Sequence, residues 1–340
     1  MQSIIKSIVL SCVCGVLLWS AVGVAGAVDY PIVIRFSHVV DSNTPKGKGA
    51  ERFRELAEKA TNGRVKVEVY PNSTLYTDRE ELEALQLGAV QMLAPSLSKF
   101  GPIGIKEFEV FDLPYLFTNR HAVHRVTQGP IGRDLLSKLE GKGFAGLAYW
   151  DNGFKVLSAN RAIQKPEDMK GLKMRIQSSK VLDAQMRALG ANPQMMNFSD
   201  VYQALRDGVV DGTENPPSNL YTKKMHEVQK HITLSNHGYL GYAVIVNQKF
   251  WGQLPSEIRR KLEAAMREAT RYTNAIAEEE NARALMLVKN SGKSRIHVPS
   301  APEKDAWRRA LVPVWKEMEE RIGADLIEAV RWEATRAPAR

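Results

Sequence analysis

The stretch "GLKMRIQSSKVLDAQMRALGANPQMMNFS", residues 171–199, decides how this chain is read. Leu172, Met174 and Ile176 alternate with Lys173, Arg175 and Gln177, the period-two pattern of a strand. Two serines follow that can cap a helix, and "SSKVLDAQMRALG" has helical spacing. "ANPQMMNFS" then returns as the next extended segment, so the unit reads β-α-β. It leaves a fork-shaped cation, Arg175, at a strand end beside a helix start. In open α/β sheets, ligands sit beyond the carboxyl ends of strands.

Working outward, the same plan occurs nearer the N-terminus. "YPIVIRFSHVV" is a strand, Thr44 is an N-cap candidate with Pro45 in the first helical position, and "RVKVEVY" alternates strictly. Residues 31–70 therefore read strand, helix, strand. Two joints also match: "ALQLGAVQM", residues 84–92, and "ALRDGVVDG", residues 204–212. Each is a helix end, a glycine and a short apolar strand. Two α/β lobes with a cleft between them are expected, with the loops after the strands facing it. Further on, "PSEIRRKLEAAMREATRYTNAIAEEENARALMLVKNSG" predicts one long helix from Pro255 towards Gly292 that braces both lobes or kinks. The tail "WEATRAPAR" is expected to fray.

The first residues read differently. One cation, Lys6, precedes a long apolar run that ends in Ala25-Gly26-Ala27, the order of an export signal, with cleavage expected after Ala27. Cys12 and Cys14 both lie in that segment, so the mature chain would have no disulfide, thiol nucleophile or cysteine metal site. The net charge of +9 is spread among interspersed acids and bases. An exported chain without a basic stripe is a poor nucleic-acid partner. An anionic small ligand suits the sign.

Motifs for catalysis are missing: there is no G-x-S-x-G elbow, P-loop, H-E-x-x-H or strand-borne G-x-G-x-x-G. No cofactor or metal is expected. His121 and His124 lack an obvious third ligand. A carboxylate receptor fits better. A guanidinium holds a carboxylate through parallel hydrogen bonds of roughly 1.5–3 kcal/mol each, and a second cation with a few donors brings micromolar affinity, about −8 kcal/mol, within reach. The same spacing also allows Arg175 to pair with a structural acid. Asn215, before Pro216-Pro217, is placed to hold a fixed rotamer toward a ligand or simply to make a turn. Trp150, Phe154 and Phe198 flank these loops and would wall an apolar pocket or join the lobe cores.

"MKGLKMRIQSSKVLDAQMRALGANP", "FSDVYQALRDGVVDGTENPPSN" and "HGYLGYAVIVNQKFW", with "FSHVV…NTPKG" and "FDLPYLF", together resemble the substrate-binding proteins of tripartite ATP-independent periplasmic (TRAP) transporters, of the DctP, C4-dicarboxylate-binding type. The resemblance covers essentially the whole mature chain. It implies a two-lobed periplasmic binding protein fold with crossing strands and a long bracing helix. It also implies docking on a permease of small and large membrane subunits driven by an ion gradient. The family's ligand arginine falls on Arg175, its ligand-facing asparagine on Asn215 and its aromatic wall on Phe198. Where sialic-acid-binding relatives have a second arginine and a glutamate, this chain has Lys155 and Ser96. That exchange favours a second carboxylate over a sugar acid, with Lys155 as its cation. His38, Gln177 and Asn197 are further expected contacts from the cleft-facing loops.

The expected protein is thus a monomeric, non-enzymatic periplasmic receptor for succinate, fumarate or malate. Its expected segments are a signal at 1–27, one lobe from 28–150 with 241–279, the other from 151–240 with 280–332, and a tail at 333–340. Alternatives are another organic acid, 2-oxo or aromatic, and, from another class, a periplasmic α/β enzyme. Presentation to a membrane sensor rather than a permease also stays open.

Overall fold

The computed structural model describes residues 31–336. The export signal expected at 1–27 lies outside the described residues.

β1 (Ile32–Ser37) and β2 (Val65–Tyr70) run parallel on either side of α1 (Pro45–Ala60), the unit expected from the sequence. Thr44 caps α1, its hydroxyl accepting from the Gly47 N–H at 3.1 Å, and Pro45 occupies the first turn, where no donor is needed. After α2 (Glu81–Gln86), β3 (Met92–Leu93) joins the other edge of β1 in parallel. β4 (Phe144–Phe154) and β10 (Tyr239–Asn247) complete this sheet in the order β2-β1-β3-β10-β4.

The second sheet repeats that wiring. β6 (Lys173–Ile176) leads through α5 (Lys180–Ala188) to β7 (Asn192–Met195), then through α6 (Val201–Arg206) to β8 (Gly212–Asn215). β6 pairs in parallel with β7 and β8, as β1 does with β2 and β3. β5 (Val156–Ala159) adds antiparallel to β8, as β10 adds to β3. β9 (His231–Thr233) and β11 (Arg295–His297) extend the order to β11-β9-β5-β8-β6-β7. The two matching joints are equivalent in shape: Gly88 and Gly208 both take left-handed backbone, φ +78° and +71°, which glycine adopts without strain.

α9 (Ser256–Ser291) is one unbroken 36-residue helix ending on left-handed Gly292. Ile258, Leu262 and Ala269 bury against Phe36 and Trp150 of the first sheet and Phe53 of α1, with Trp251 of α8 (Gln248–Gln253) beside them. Thirty ångströms is the length of about twenty helical residues, so the far end reaches the second sheet. There Val288 packs with Val156, Val201 and Ile232, in the core beside α7 (Pro217–Thr222). α9 therefore braces both sheets. The remaining core gathers α3 (Arg120–Thr127), α4 (Pro130–Ser137), α5, α10 (Ala301–Ile322) and α11 (Ala324–Thr335) around Phe108, Phe111 and Trp307.

The sequence expectation of a fraying tail from residue 332 is corrected through Thr335, where α11 ends. Arg125 of α3 donates to the Glu333 and Ala334 carbonyls at 2.9 and 2.6 Å, supplying acceptor-end partners the helix lacks on its own.

Candidate functional site

The carboxyl ends of β1, β3, β6 and β8 converge on a narrow cavity of about 20 Å³, room for about one water-sized group. It lies where the two sheets meet, and two hydrogen bonds close it. Ser96, beyond β3, donates from Oγ to Gln177 Oε1, beyond β6, at 2.6 Å. Asp78, before α2, accepts from the backbone N–H of Phe198, beyond β7.

Arg175 reaches the cavity from β6. It is only 2 % exposed, and burial pulls its charged form down, opposed by Asp78, Glu214 and Asp200. Nε and Nη2 donate to the Met196 carbonyl at 3.0 and 2.8 Å, and the guanidinium lies 5.8 Å from the Phe198 ring centre. These bonds lock the fork without using its Nη1 donors. Among the described residues, no carboxylate forms an ion pair with Arg175. The strand's next turn supplies the frame: Ser179 caps α5 by accepting from Leu182 N at 3.3 Å, as its position after β6 predicts.

Lys46 faces Arg175's cavity from the first turn of α1, a position the Thr44 cap and Pro45 fix. Its ammonium donates to the Ala94 carbonyl at 2.9 Å and lies 3.9 Å from the Tyr242 ring centre. Burial, helped by Lys99, lowers Lys46 to about 7 despite Glu81 and Asp78. Lys99 is paired instead, with Asp78 and with Glu81 at 2.6 Å. Burial favours a neutral Asp78 carboxyl, but Lys99, Arg175 and the Phe198 N–H outweigh it and hold Asp78 at about 2. Burial raises Glu81. A neutral rim completes the cavity: Asn219 and Tyr242, together with Val39, Val40 and Leu240.

Of the residues singled out from sequence, Arg175, Asn215, Phe198, Ser96 and Gln177 line this cavity. Asn215 Nδ2 makes only long contacts, to Thr213 Oγ1 at 3.3 Å and Met225 Sδ at 3.9 Å. The others are placed elsewhere. Lys155 is buried behind the cavity, its Nζ 2.7 Å from Glu214 and 3.9 Å from Asp112, so its charge already has partners. Burial works against the Glu214 carboxylate, but Lys155 and His237 hold it at about 2. Trp150 is core, tilted against Phe36 with Nε1 donating to Thr270 Oγ1 at 2.9 Å. Phe154 packs on Tyr239 and faces an open hollow of about 630 Å³ on which Arg120 and Asn281 also border. That hollow is larger, but it gathers no buried unpaired cation. His38 is wholly buried edge-on to Phe36, and burial, then Lys46, lowers it to about 3. Asn197 only borders the Phe198 turn.

The sequence reading passed over Lys46, Asp78, Lys99, Asn219 and Tyr242. Lys46 and Lys99 stand within the loops "SHVVDSNTPKG" and "APSLSKFGP", already assigned to the cleft. A cation following an N-capping Thr-Pro was the available signal. Nothing in the alternating "HGYLGYAVIV" distinguishes Tyr242 from its neighbours.

Two like α/β sheets closing over a small, cation-lined cavity define a solute-binding protein that encloses an anion. Residues 36–321 match the family described as bacterial extracellular solute-binding protein, family 7, and the chain belongs to that family. This bears out the resemblance read from the sequence, and the family is one of solute-binding proteins rather than of enzymes. The chain is 66 % identical over 305 residues, 90 % of its length and 92 % of the relative's, to the C4-dicarboxylate-binding periplasmic protein DctP of Rhodobacter capsulatus. Among solved structures, it is similar to a TRAP periplasmic solute binding protein from Shewanella oneidensis with bound succinate. The TM-score is 0.88 at 43 % identity, covering 90 % of this chain and all of that one (100 %). A TRAP periplasmic solute binding protein from Pseudomonas aeruginosa PAO1 with bound L-malate gives 0.82 at 47 % identity, covering 84 % and 100 %.

Proposed function

We propose that this protein captures a C4-dicarboxylate (succinate, fumarate or malate) in the periplasm and delivers it, as a monomer, to the small and large membrane subunits of a TRAP permease. The observation that carries the ligand reading is Arg175: a guanidinium buried to 2 % exposure, braced by Met196, with donors unused and no carboxylate partner. Asp78, Glu214 and Asp200 offset its burial only from beyond ion-pair distance, and a buried charge with no contacting counter-ion is costly. A ligand carboxylate on the free edge of the fork supplies the missing one.

The second carboxylate is assigned to Lys46 rather than Lys155, because among the described residues Lys46 faces the cavity with one carbonyl as its hydrogen-bond partner, while Lys155 is held by Glu214. At about 20 Å³ the cavity must widen to admit any acid, and a short diacid requires less widening than an aromatic acid or a long sugar acid. The succinate-bound and malate-bound neighbours and the dicarboxylate-binding relative support the same class. The lobes are assigned as 28–150 with 241–279 and 151–240 with 280–332, so that the crossings fall within β4, β10 and α9. Capture then proceeds by closure about those crossings.

A thermal-shift panel of organic acids tests the reading. Succinate, fumarate or malate is expected to raise the melting temperature, and Arg175→Ala to abolish the rise. A rise only with larger monoacids overturns the dicarboxylate assignment, and no rise with any acid overturns the binding function.

A further inference from the structure

Asn152 sits where β4 leaves the first sheet. Leu240 of β10 pairs with Gly153 and Gly241 with Asp151, so Asn152 is the extra residue of a β-bulge and has no partner across the strand. Its side chain is buried, and every bond it makes has a direction. Nδ2 donates to the Tyr242 hydroxyl oxygen at 2.7 Å and to Asn219 Oδ1 at 2.9 Å, while Oδ1 accepts from Ser218 Oγ at 2.9 Å.

The sense of this amide is set from α9. Asn281 Nδ2 donates to the backbone carbonyls of Asn152 and Ala277, both at 2.8 Å, and Asn281 Oδ1 accepts from the Ser218 backbone N–H at 3.0 Å. Backbone groups cannot exchange roles, so the Asn281 amide has one orientation. The same Nδ2 lies 3.4 Å from Asn152 Oδ1, which places the Asn152 oxygen on that side and its nitrogen toward Tyr242 and Asn219.

Tyr242 and Asn219 both line the cavity. With the Tyr242 oxygen already accepting, its hydrogen is left to donate elsewhere. With Asn219 Oδ1 already occupied, its Nδ2 is the group that meets the Tyr242 hydroxyl, and its second hydrogen is left to donate. Burial raises Tyr242 to about 12, so the hydroxyl keeps its proton at neutral pH.

We infer that Asn152 is a positioning residue that turns Tyr242 and Asn219 into hydrogen-bond donors facing the cavity, and so fixes the site's preference for a carboxylate. The inference rests on the dicarboxylate reading of the cavity. It extends that reading by placing part of the anion specificity in a bulge residue that does not itself line the cavity. Without Asn152, the Tyr242 hydroxyl and the Asn219 carbonyl are free to satisfy each other, and a donor to the ligand is lost.

Calorimetric titration of succinate into the wild type, Asn152→Leu, Tyr242→Phe and the double variant tests this. Asn152→Leu is expected to raise Kd by about tenfold or more, the loss of roughly one charge-assisted hydrogen bond. In the Tyr242→Phe background the same change should cost at least about threefold less, because one of the groups it orients is gone. A merely structural role would lower stability equally in both backgrounds and show no such coupling in Kd. Wild-type affinity in Asn152→Leu, or an identical loss in both backgrounds, overturns the inference. Should the variant fail to fold, the ζ-carbon NMR signal of Tyr242 in the wild type decides. A shift on succinate addition is expected and an unmoved signal overturns it. A wild type that does not bind succinate overturns the dicarboxylate reading itself, a result distinct from normal binding with a silent Asn152.

Discussion

Replacing Arg175 by methionine separates a ligand-binding arginine from a structural one. A structural arginine in a buried ion pair costs about 3–5 kcal/mol when removed, because its partner is stranded. Arg175 has no such partner; its protein bonds go to the Met196 carbonyl at 3.0 and 2.8 Å. Truncation leaves that carbonyl short of a donor, a cost of about 1–3 kcal/mol, while relieving the burial of a charge, worth up to several kcal/mol. The terms oppose, so the ligand-free stability should change by less than about 2 kcal/mol. Binding should respond far more strongly. Two charge-assisted bonds to a carboxylate contribute about 3–6 kcal/mol together, two to four decades in Kd. In the wild type, succinate at a hundred times Kd adds about 2.7 kcal/mol, a rise of about 5 °C in a chain of this size. Urea unfolding without ligand and thermal scans with succinate measure both quantities. A loss above about 3 kcal/mol in ligand-free Arg175→Met, with the succinate rise intact, would refute the reasoning.

Further predictions concern the other charges. Lys46 sits at about 7 in the ligand-free protein. A bound dianion favours its charged form, so the complex holds a proton that the free protein has lost above pH 7. Succinate affinity should therefore fall by up to roughly tenfold per pH unit above 7, with proton uptake visible as a buffer-dependent binding heat; a flat profile from pH 7 to 9 contradicts this. Folding has the opposite sign: the unfolded chain keeps the Lys46 proton up to about 10.5, so this residue makes ligand-free stability rise with pH over 7–10.5. Asp78, at about 2 against an ordinary 3.8, contributes about 2 kcal/mol that is present above pH 4 and lost as pH falls through 2. Asp78→Asn should flatten the acid limb of a stability–pH profile, and an unchanged limb counts against the assignment. Lys155→Met leaves buried Glu214 with His237 as its remaining partner and should cost up to about 3–5 kcal/mol of stability. It should weaken succinate and its mono-amide alike, whereas a selective loss for the diacid would return the second carboxylate to Lys155.

Much of the fold was legible because local signals and tertiary packing agree. Thr44-Pro45 announces α1, the serines after Gln177 announce α5, and Gly292 ends α9 where the sequence places it. The matching glycine joints betray a repeat that the strand order of both sheets bears out. Arg175 was legible because a cation in a buried strand demands a partner. Lys155 came from the resemblance alone, and sequence gives no way to see that Glu214 of β8 lies 2.7 Å away. Trp150 precedes a bulge, and a one-residue slip decides which face an aromatic takes, so alternation alone could not separate core from cavity wall. Lys46 was read only as part of a helix start. Its place at the cavity emerges from the meeting of α1 with Ala94 and Tyr242, contacts far apart in the chain.

We assign the C4-dicarboxylate to the cavity between the sheets, spanning Arg175 and Lys46. The most direct test is calorimetric titration of succinate against succinamate, its mono-amide, with the purified protein at pH 7. Succinate is expected to bind one-to-one in the micromolar range or tighter, and the mono-amide at least about tenfold more weakly, since Lys46 loses its counter-charge. Equal affinity for the two, or no heat with succinate, would contradict the assignment.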